Sequence, residues 1–386
     1  LNILSVCTNL PSAGNPLLGL FVQRRLEKMA ELASVRALQP QPWFPCVRPR
    51  RHDAELPGAK FPIDRSGMFY FPGVAKRLDG RWLERCVNRW LEQLPKSTLE
   101  SCVLDAHFGY PEGVGCWRVA QRRGIPVFIT LRGLEVDLFR TRDRGPQLLE
   151  ALGGATGVIA VSHSLKASAV AAGAPADHIT VIPNGVDTQL YCPGDRPAAR
   201  TAVGYSESTK LIVSVGNLKP VKGHDTLLHA MAEVVKQLEV NLVCIGGEVQ
   251  SPWGIRLQQL SKELGIDQRV QFLGSQTPQT VVNWLRAADL FCLASRREGC
   301  CNAVLEALAT GCPVAVTNAG DNRIIVKNQD MGQVCPVESP TALAQSILET
   351  LGKPHAPRSI AAGVSEYTWP SAGQKTIAYF SERVAR

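Results

Sequence analysis

The sequence predicts an α/β protein made of two parallel-sheet halves, and three observations carry that reading. Short apolar runs rich in Val, Ile and Leu alternate with segments of helical periodicity along most of the chain, the pattern of buried parallel strands joined by helices. The chain also starts the same way twice: the runs at 2–7 and 211–215 are each followed by a glycine-bearing loop and then an apolar-striped helix. Finally, 386 residues exceed what one ordinary core accommodates, so two domains of roughly 150–200 residues are expected.

Taken in order, 2–7 is a buried strand, 8–19 a polar Gly/Pro-containing loop, and 20–33 a helix. Residues 39–72, rich in Pro and Arg, read as a long loop containing the basic run Arg48, Arg50, Arg51 and His52. From 76 to 94, Leu83, Cys86, Val87, Trp90 and Leu91 recur at helical spacing. Beside them Arg77, Arg81, Arg85 and Arg89 form a neighbouring stripe, so a basic amphipathic helix is expected. Residues 101–107 form a strand ending at Asp105-Ala106-His107, a helix runs to Arg123, and the strand at 126–130 leads into Leu131-Arg132-Gly133. After strands at 157–162 and 179–183, Pro183-Asn184-Gly185 is a chain reversal, which places a domain boundary between 185 and 197.

The second half repeats the plan. Its strands are expected at 211–215, 241–247, 269–273, 288–295 and 313–317, with helices at 224–238, 302–310, 340–351 and 369–384.

Composition narrows the classes. The net charge is +8, and residues 1–185 hold 23 Lys and Arg against 16 Asp and Glu, so the positive field belongs to the first half. No nucleic-acid-binding motif accompanies it; nucleic acid is not an expected partner, and an anionic membrane or acidic acceptor suits the charge better. The twelve cysteines are scattered, without metal-ligand spacing, and read as reduced core thiols of a cytoplasmic protein. Neither G-x-G-x-x-G nor G-x-x-x-x-G-K-[ST] occurs, which argues against a nicotinamide or flavin enzyme and a P-loop NTPase. No run reaches the ~18 apolar residues of a membrane span.

The chemistry concentrates at 290–318. Glu298 lies in the loop after a strand, Glu306 lies eight residues on within a helix, and the helix's first turn falls between them. Free N–H groups at such a turn favour an anion. Two acids flanking an anion site suit a ligand with hydroxyls at both ends and phosphates between, a nucleotide-sugar. In the loop 216–223, Gly216 and Gly223 permit close backbone approach, and Lys222 brings a cation to a helix start, the combination that holds a diphosphate. No Asp-x-Asp follows a strand, so no metal is expected, and leaving-group charge would fall to Lys222 and the turn near Cys300.

The Glu298-x7-Glu306 spacing, followed by Gly311-Cys312-Pro313-Val314-Ala315-Val316, resembles the signature of the retaining glycosyltransferases of family four. The resemblance extends over nearly the whole chain and implies the GT-B fold, two facing Rossmann-like domains with an interdomain cleft. It implies an acceptor domain at 1–185, a nucleotide-sugar domain at 186–366, and a final helix, 367–386, crossing back. Glu298 would meet the donor sugar and Glu306 the ribose. Gly19, Gly216, Lys219, the Gly246-Gly247 loop and the turn of Gly299, Cys300, Cys301 and Asn302 would border the donor. His107 would be catalytic, with Arg132 and Gly133 on the acceptor side. Asn217 stands where the family usually has Arg, and Asp321 lies in a turn that departs from the family's pattern.

The implied activity is transfer of a hexose-type sugar from a UDP- or GDP-sugar, with retention and without cofactor, to a glycan or lipid-linked acceptor. The opening 15–22 looks most like bacterial surface-polysaccharide transferases of teichuronic-acid type, and the cytoplasmic face of a membrane is the expected setting. An epimerase or hydrolase of the same fold, or a non-catalytic nucleotide-sugar-binding subunit, would share these motifs.

Overall fold

The computed structural model describes residues 1–12, 14–45 and 59–385; the basic run at 48–52 lies outside them. The chain divides into two compact units, Leu1–Gly185 with Trp369–Arg386, and Val186–Thr368.

The first unit is built on a seven-stranded parallel sheet. Its strands are β1 (Asn2–Val6), β2 (Ser34–Trp43), β3 (Ile63–Phe69), β4 (Cys102–His107), β5 (Val127–Leu131), β6 (Gly157–Ala160) and β7 (Ile179–Val181), in the order β3-β2-β1-β4-β5-β6-β7. β1 and β4, at the centre, are buried almost throughout, as strands covered by helices on both faces must be. The helix Trp369–Ala385 belongs to this unit: it packs on the helix Leu20–Ala30, and Phe380, fully buried, stacks on Phe128 at 4.0 Å.

The second unit has six parallel strands, β8 (Lys210–Val215), β9 (Val240–Ile245), β10 (Val270–Gly274), β11 (Leu290–Leu293), β12 (Val314–Thr317) and β13 (Gly332–Cys335), ordered β10-β9-β8-β11-β12-β13. In each sheet the chain works outward from the first strand in one direction and then in the other. The order therefore reverses between β1 and β4, and between β8 and β11, where open α/β sheets bind ligands.

The expected loop at 39–72 is corrected by the structure, because β2 continues to Trp43 and β3 occupies Ile63–Phe69. Two prolines are tolerated in β2 because of where their missing N–H groups point. Ala37 N bonds Pro62 O on the β3 side, whereas Leu38 O accepts from Cys7 on the β1 side, so Pro40 and Pro42 face the β1 side. β1 ends at Val6, so the prolines remove no ladder hydrogen bond.

The basic helix is present as Asp79–Glu92, with Arg81, Arg85 and Arg89 exposed and Arg77 exposed just before it. Trp90, however, is 3 % exposed and donates to Asp64 Oδ2 at 2.6 Å, so it belongs to the core and not to the solvent face.

Helices at Arg196–Val203, Pro252–Glu263 and Pro278–Ala287, and the strand β13, were not expected. The helices had a signal: Asp195, Ser251 and Thr277 each cap a first turn through the side chain, with Pro in that turn, as Ser339 does for Pro340–Leu351.

Candidate active site

The second unit's sheet reversal brings together the loops after β8 and β11. Two helices begin there, His224–Val234 and Asn302–Ala309, and neither has a side-chain cap, in contrast to the four helices capped by Asp195, Ser251, Thr277 and Ser339. Their first-turn N–H groups therefore carry the positive helix ends without a capping side chain of their own.

Lys222 and Glu298, predicted separately, meet here. Lys222 Nζ lies 2.6 Å from Glu298 Oε1, with the side chains 25 % and 7 % exposed. Ser295 Oγ donates to the same carboxylate oxygen at 2.5 Å. Burial works against the lysine's charge, but Glu298 outweighs it and holds the amine above its ordinary range. The pair rests on a stapled frame. Arg296 makes two hydrogen bonds to Asp225 at 3.0 and 2.7 Å and a third to Glu338 at 2.8 Å, and its backbone N–H donates to Val221 O. Gly223, with φ +64°, starts its helix so close to β11 that a Cβ would sit 1.9 Å from Ala294 O. Only glycine lets the Lys222 turn approach the Glu298 loop this closely.

At Gly216 a Cβ would find nothing nearer than 3.7 Å, and two of its neighbours would be Lys222 side-chain carbons, so open space adjoins the lysine stem. Gly246 and Gly247 serve the chain's own packing: at φ +120° and +67° they lie on the 216–218 backbone, where Cβ atoms would come within 2.6 Å of Gly216 O and 2.4 Å of Leu218 N. The side chains of Asn217 and Lys219 are exposed. Glu306 is half-buried, one turn into the helix that Asn302 opens, and Gly299 and Cys300 are half-buried before it. The side chain of Cys301 is 2 % exposed within the hydrophobic core, so at this turn Cys301 offers its backbone.

His224 was not anticipated. It is 1 % exposed, neither ring nitrogen has a partner among the described residues, and burial together with Lys222 lowers its pKa to about 4. A histidine directly after Lys222-Gly223 was the signal available.

In the first unit, the side chain of His107 is buried at the end of β4. It is 1 % exposed and lies between two charged neighbours. Arg132 Nη2 donates to Nδ1 at 2.9 Å, which leaves the proton on Nε2, 3.1 Å from Asp105 Oδ2. Burial lowers the pKa of His107, with Asp105 opposing, so the ring is neutral at pH 7. Arg132, 9 % exposed, also donates to Asn184 Oδ1 at 3.3 Å. The fully buried Arg25 reaches Ile182 O, Pro183 O and Asn184 Oδ1, so the 183–185 turn is tied to the same network.

Glu135, also unanticipated, accepts from the backbone N–H groups of Gly109, Arg132 and Gly133 and fixes both loops. Gly19, φ +66°, repeats the device of Gly223, since a Cβ there would lie 1.7 Å from Asn9 O. The close approach by itself requires glycine at this position.

Comparison with known proteins agrees with this architecture. Residues 45–190 match the family described as Glycosyltransferase Family 4, and residues 195–363 match Glycosyl transferases group 1. The chain is 30 % identical over 296 residues, 72 % of its length, to a D-inositol 3-phosphate glycosyltransferase of Segniliparus rotundus, and spans 65 % of that relative's length. Among solved structures, sucrose-phosphate synthase from Thermosynechococcus elongatus superposes with a TM-score of 0.79 at 18 % identity, covering 99 % of both chains. Anabaena HepE in complex with UDP-glucose does so with a TM-score of 0.73 at 18 % identity, covering 98 % of this chain and 99 % of its own. The chain thus has the GT-B fold, and its two halves resemble the Glycosyltransferase Family 4 and Glycosyl transferases group 1 models.

Proposed function

We propose that the protein transfers a hexose-type sugar from a UDP- or GDP-sugar to a hydroxyl of a glycan or lipid-linked acceptor, with retention and without a divalent metal. Residues 186–366 would hold the donor, and residues 1–185 with 367–386 the acceptor. The observation that carries this reading is the Lys222–Glu298 pair between two helix starts that lack side-chain caps. Lys222 and the first-turn N–H groups supply fixed positive charge where a departing diphosphate develops negative charge, and Glu298 offers a carboxylate to sugar hydroxyls. Glu306 would take the ribose hydroxyls. The relatives support a nucleotide-sugar substrate: HepE is described in complex with UDP-glucose.

Product analysis with a panel of UDP- and GDP-sugars, with and without acceptors and in excess chelator, tests the reading. Acceptor-dependent transfer that survives chelator, with the anomeric configuration kept, is expected. A rate that vanishes with chelator and returns with magnesium would overturn the metal-free part, and hydrolysis alone would overturn transfer.

We also propose peripheral contact with an anionic membrane at the cytoplasmic face. Arg77, Arg81, Arg85 and Arg89 are exposed, Arg85 lies over the Trp82 ring at 4.5 Å, and the nearby acids Glu84 and Glu92 are paired with Arg122 and Arg123. Among the described residues, no helix is long and apolar enough to cross a membrane. Each arginine near such a surface contributes about 1 kcal/mol. Co-sedimentation with anionic liposomes at low salt should therefore be strong and should collapse when the four become glutamine; wild type that ignores the liposomes removes the membrane from the proposal.

A further inference from the structure

The second unit holds another cluster of charge that the proposed mechanism does not use, at the far end of its sheet. β8, β11 and β12 begin at Lys210, Leu290 and Val314, whereas the Lys222–Glu298 pair lies past their C-terminal ends. The six residues of β8 alone span about 20 Å, so the two ends of the sheet are separate places. Beside the strand starts lies a cavity of about 250 Å³. Four basic side chains line it, Arg196, Lys210, Arg286 and Lys353, against one carboxylate, Asp289.

That carboxylate does not neutralise the group. Asp289 Oδ2 accepts from the buried Arg200 at 2.6 Å and from the Leu211 N–H at 2.8 Å, and Oδ1 accepts from Arg196 at 2.5 Å. Lys210 Nζ, 3.6 Å from Oδ1, is outside hydrogen-bond reach. Lys353 donates to the neutral Gln329 at 3.1 Å. Arg286 spends Nε and Nη2 on Cys192 O and Leu190 O at 3.0 and 3.2 Å, with Cys192 Sγ 3.3 Å from Nη2. Its Nη1 makes no hydrogen bond among the described residues. These donors are open to solvent: the Arg196 and Lys210 side chains are 47 % and 43 % exposed, and Lys353 is exposed as well.

The cradle is fixed in advance. Gly194 lies against the Arg286 guanidinium, where a Cβ would come within 2.7 Å of Nε. Gly311, φ +81°, brings the loop before β12 onto the 353–357 segment, where a Cβ would lie 2.5 Å from Pro357 Cβ. Pro354 and Pro357 restrict that segment, and the His355 ring spans Thr350 O and Asp330 O, which lie 2.8 and 2.9 Å from its nitrogens. Cations held in place beforehand lose less freedom when a ligand arrives. An adjoining open space of about 560 Å³ shares Gly194 and Pro357 and adds Arg358, so there is room for more than one phosphate.

We propose that this cavity is a second anion site, for a ligand bearing a phosphate monoester or a diphosphate. A single carboxylate would leave most of the positive surplus uncompensated, whereas a phosphate group brings about two negative charges and paired oxygens that suit a guanidinium fork. The site is independent of the glycosyltransferase reading, because it uses neither Lys222 nor a nucleotide-sugar. A phosphate bound here would tie together four segments distant in the sequence: the start of the helix Arg196–Val203, the start of β8, the end of the helix Pro278–Ala287, and the 353–357 segment. Binding should therefore raise the melting temperature of the second unit.

The test is calorimetry on the full chain with pyrophosphate and inorganic phosphate, at about 0.15 M ionic strength and with saturating UDP present. Pyrophosphate should bind wild type with a Kd below about 1 mM. The Lys210→Ala/Lys353→Ala double variant should lose about tenfold or more in affinity, with UDP binding unchanged. Gly194→Ala keeps every charge but displaces the Arg286 guanidinium, and should weaken pyrophosphate about threefold, a change that a merely basic surface would not show. Lys222→Met should leave this binding as it is. Vesicles of phosphatidylcholine and phosphatidic acid identify the source of the phosphate: sedimentation that depends on Lys210 and Lys353 assigns it to a lipid headgroup, and binding of pyrophosphate without such dependence assigns it to a soluble ligand. Wild type that binds neither pyrophosphate nor these vesicles, or a double variant or Gly194→Ala that binds as tightly as wild type, overturns the proposal, as does binding lost in Lys222→Met alone. Wild type that ignores UDP yet binds pyrophosphate through Lys210 and Lys353 would instead overturn the donor reading and leave this site standing.

Discussion

Lys222→Ala is expected to lower transfer turnover about 10²–10³-fold, the cost of removing one preorganised positive group from a site of developing negative charge. The loss should fall on kcat more than on KM, because the diphosphate gains charge only as the sugar leaves. It should not come from unfolding. The lysine side chain is 25 % exposed, so losing its pair costs less than the about 3–5 kcal/mol of a fully buried one, and Ser295 still donates to Glu298. Lys222→Met, which keeps the stem beside Gly216, should lose as much turnover while melting closer to wild type. Steady-state kinetics with thermal melts decides the matter; kcat within about threefold of wild type would remove Lys222 from the chemistry.

The largest loss of stability is expected at a residue far from that chemistry, Arg200. It is 2 % exposed and donates to Ala287 O, Ser206 O, Thr209 O and Asp289 Oδ2 at 2.5–2.6 Å. Burial pulls its pKa down, with Asp289 opposing, which marks a charge kept inside only because it is fully paired. Arg200→Leu fills much of the space but leaves three carbonyls and one carboxylate short of a donor, so destabilisation of about 3–5 kcal/mol is expected. Asp289 keeps Arg196 and the Leu211 N–H, so it is not stranded entirely. Denaturant unfolding measures the change, and a loss below about 1 kcal/mol would show that water replaces the lost donors.

Much of this was legible in the sequence, for a physical reason. Fully buried parallel strands are short apolar runs, and the loops at their C-terminal ends hold glycines and charges that have no role in a core, so 211–223 and 290–318 stood out. What escaped depended on partners distant in the chain. Pro40 and Pro42 read as loop residues because nothing local shows that β1 stops at Val6. The burial of His107 and Cys301 was not legible, because period and motif fix where a residue stands but not which way its side chain turns. Arg286 and Cys192, 94 positions apart, could not be paired without the fold that joins them.

The helix Trp369–Ala385 has a consequence for how the protein is made. Phe380 stacks on Phe128, Tyr379 donates to His178 O at 2.9 Å, and Arg383 donates to Thr156 O at 2.9 Å. During synthesis, residues 1–185 leave the ribosome well before any of these partners exists. At about 5–20 residues per second the gap lasts on the order of ten seconds or more. Through that interval Phe128, His178 and Thr156 lack these partners, while residues 186–368 can complete their own core as they emerge. Residues 1–185 therefore complete their packing after residues 186–368 do, and they are the part for which a chaperone would be most needed.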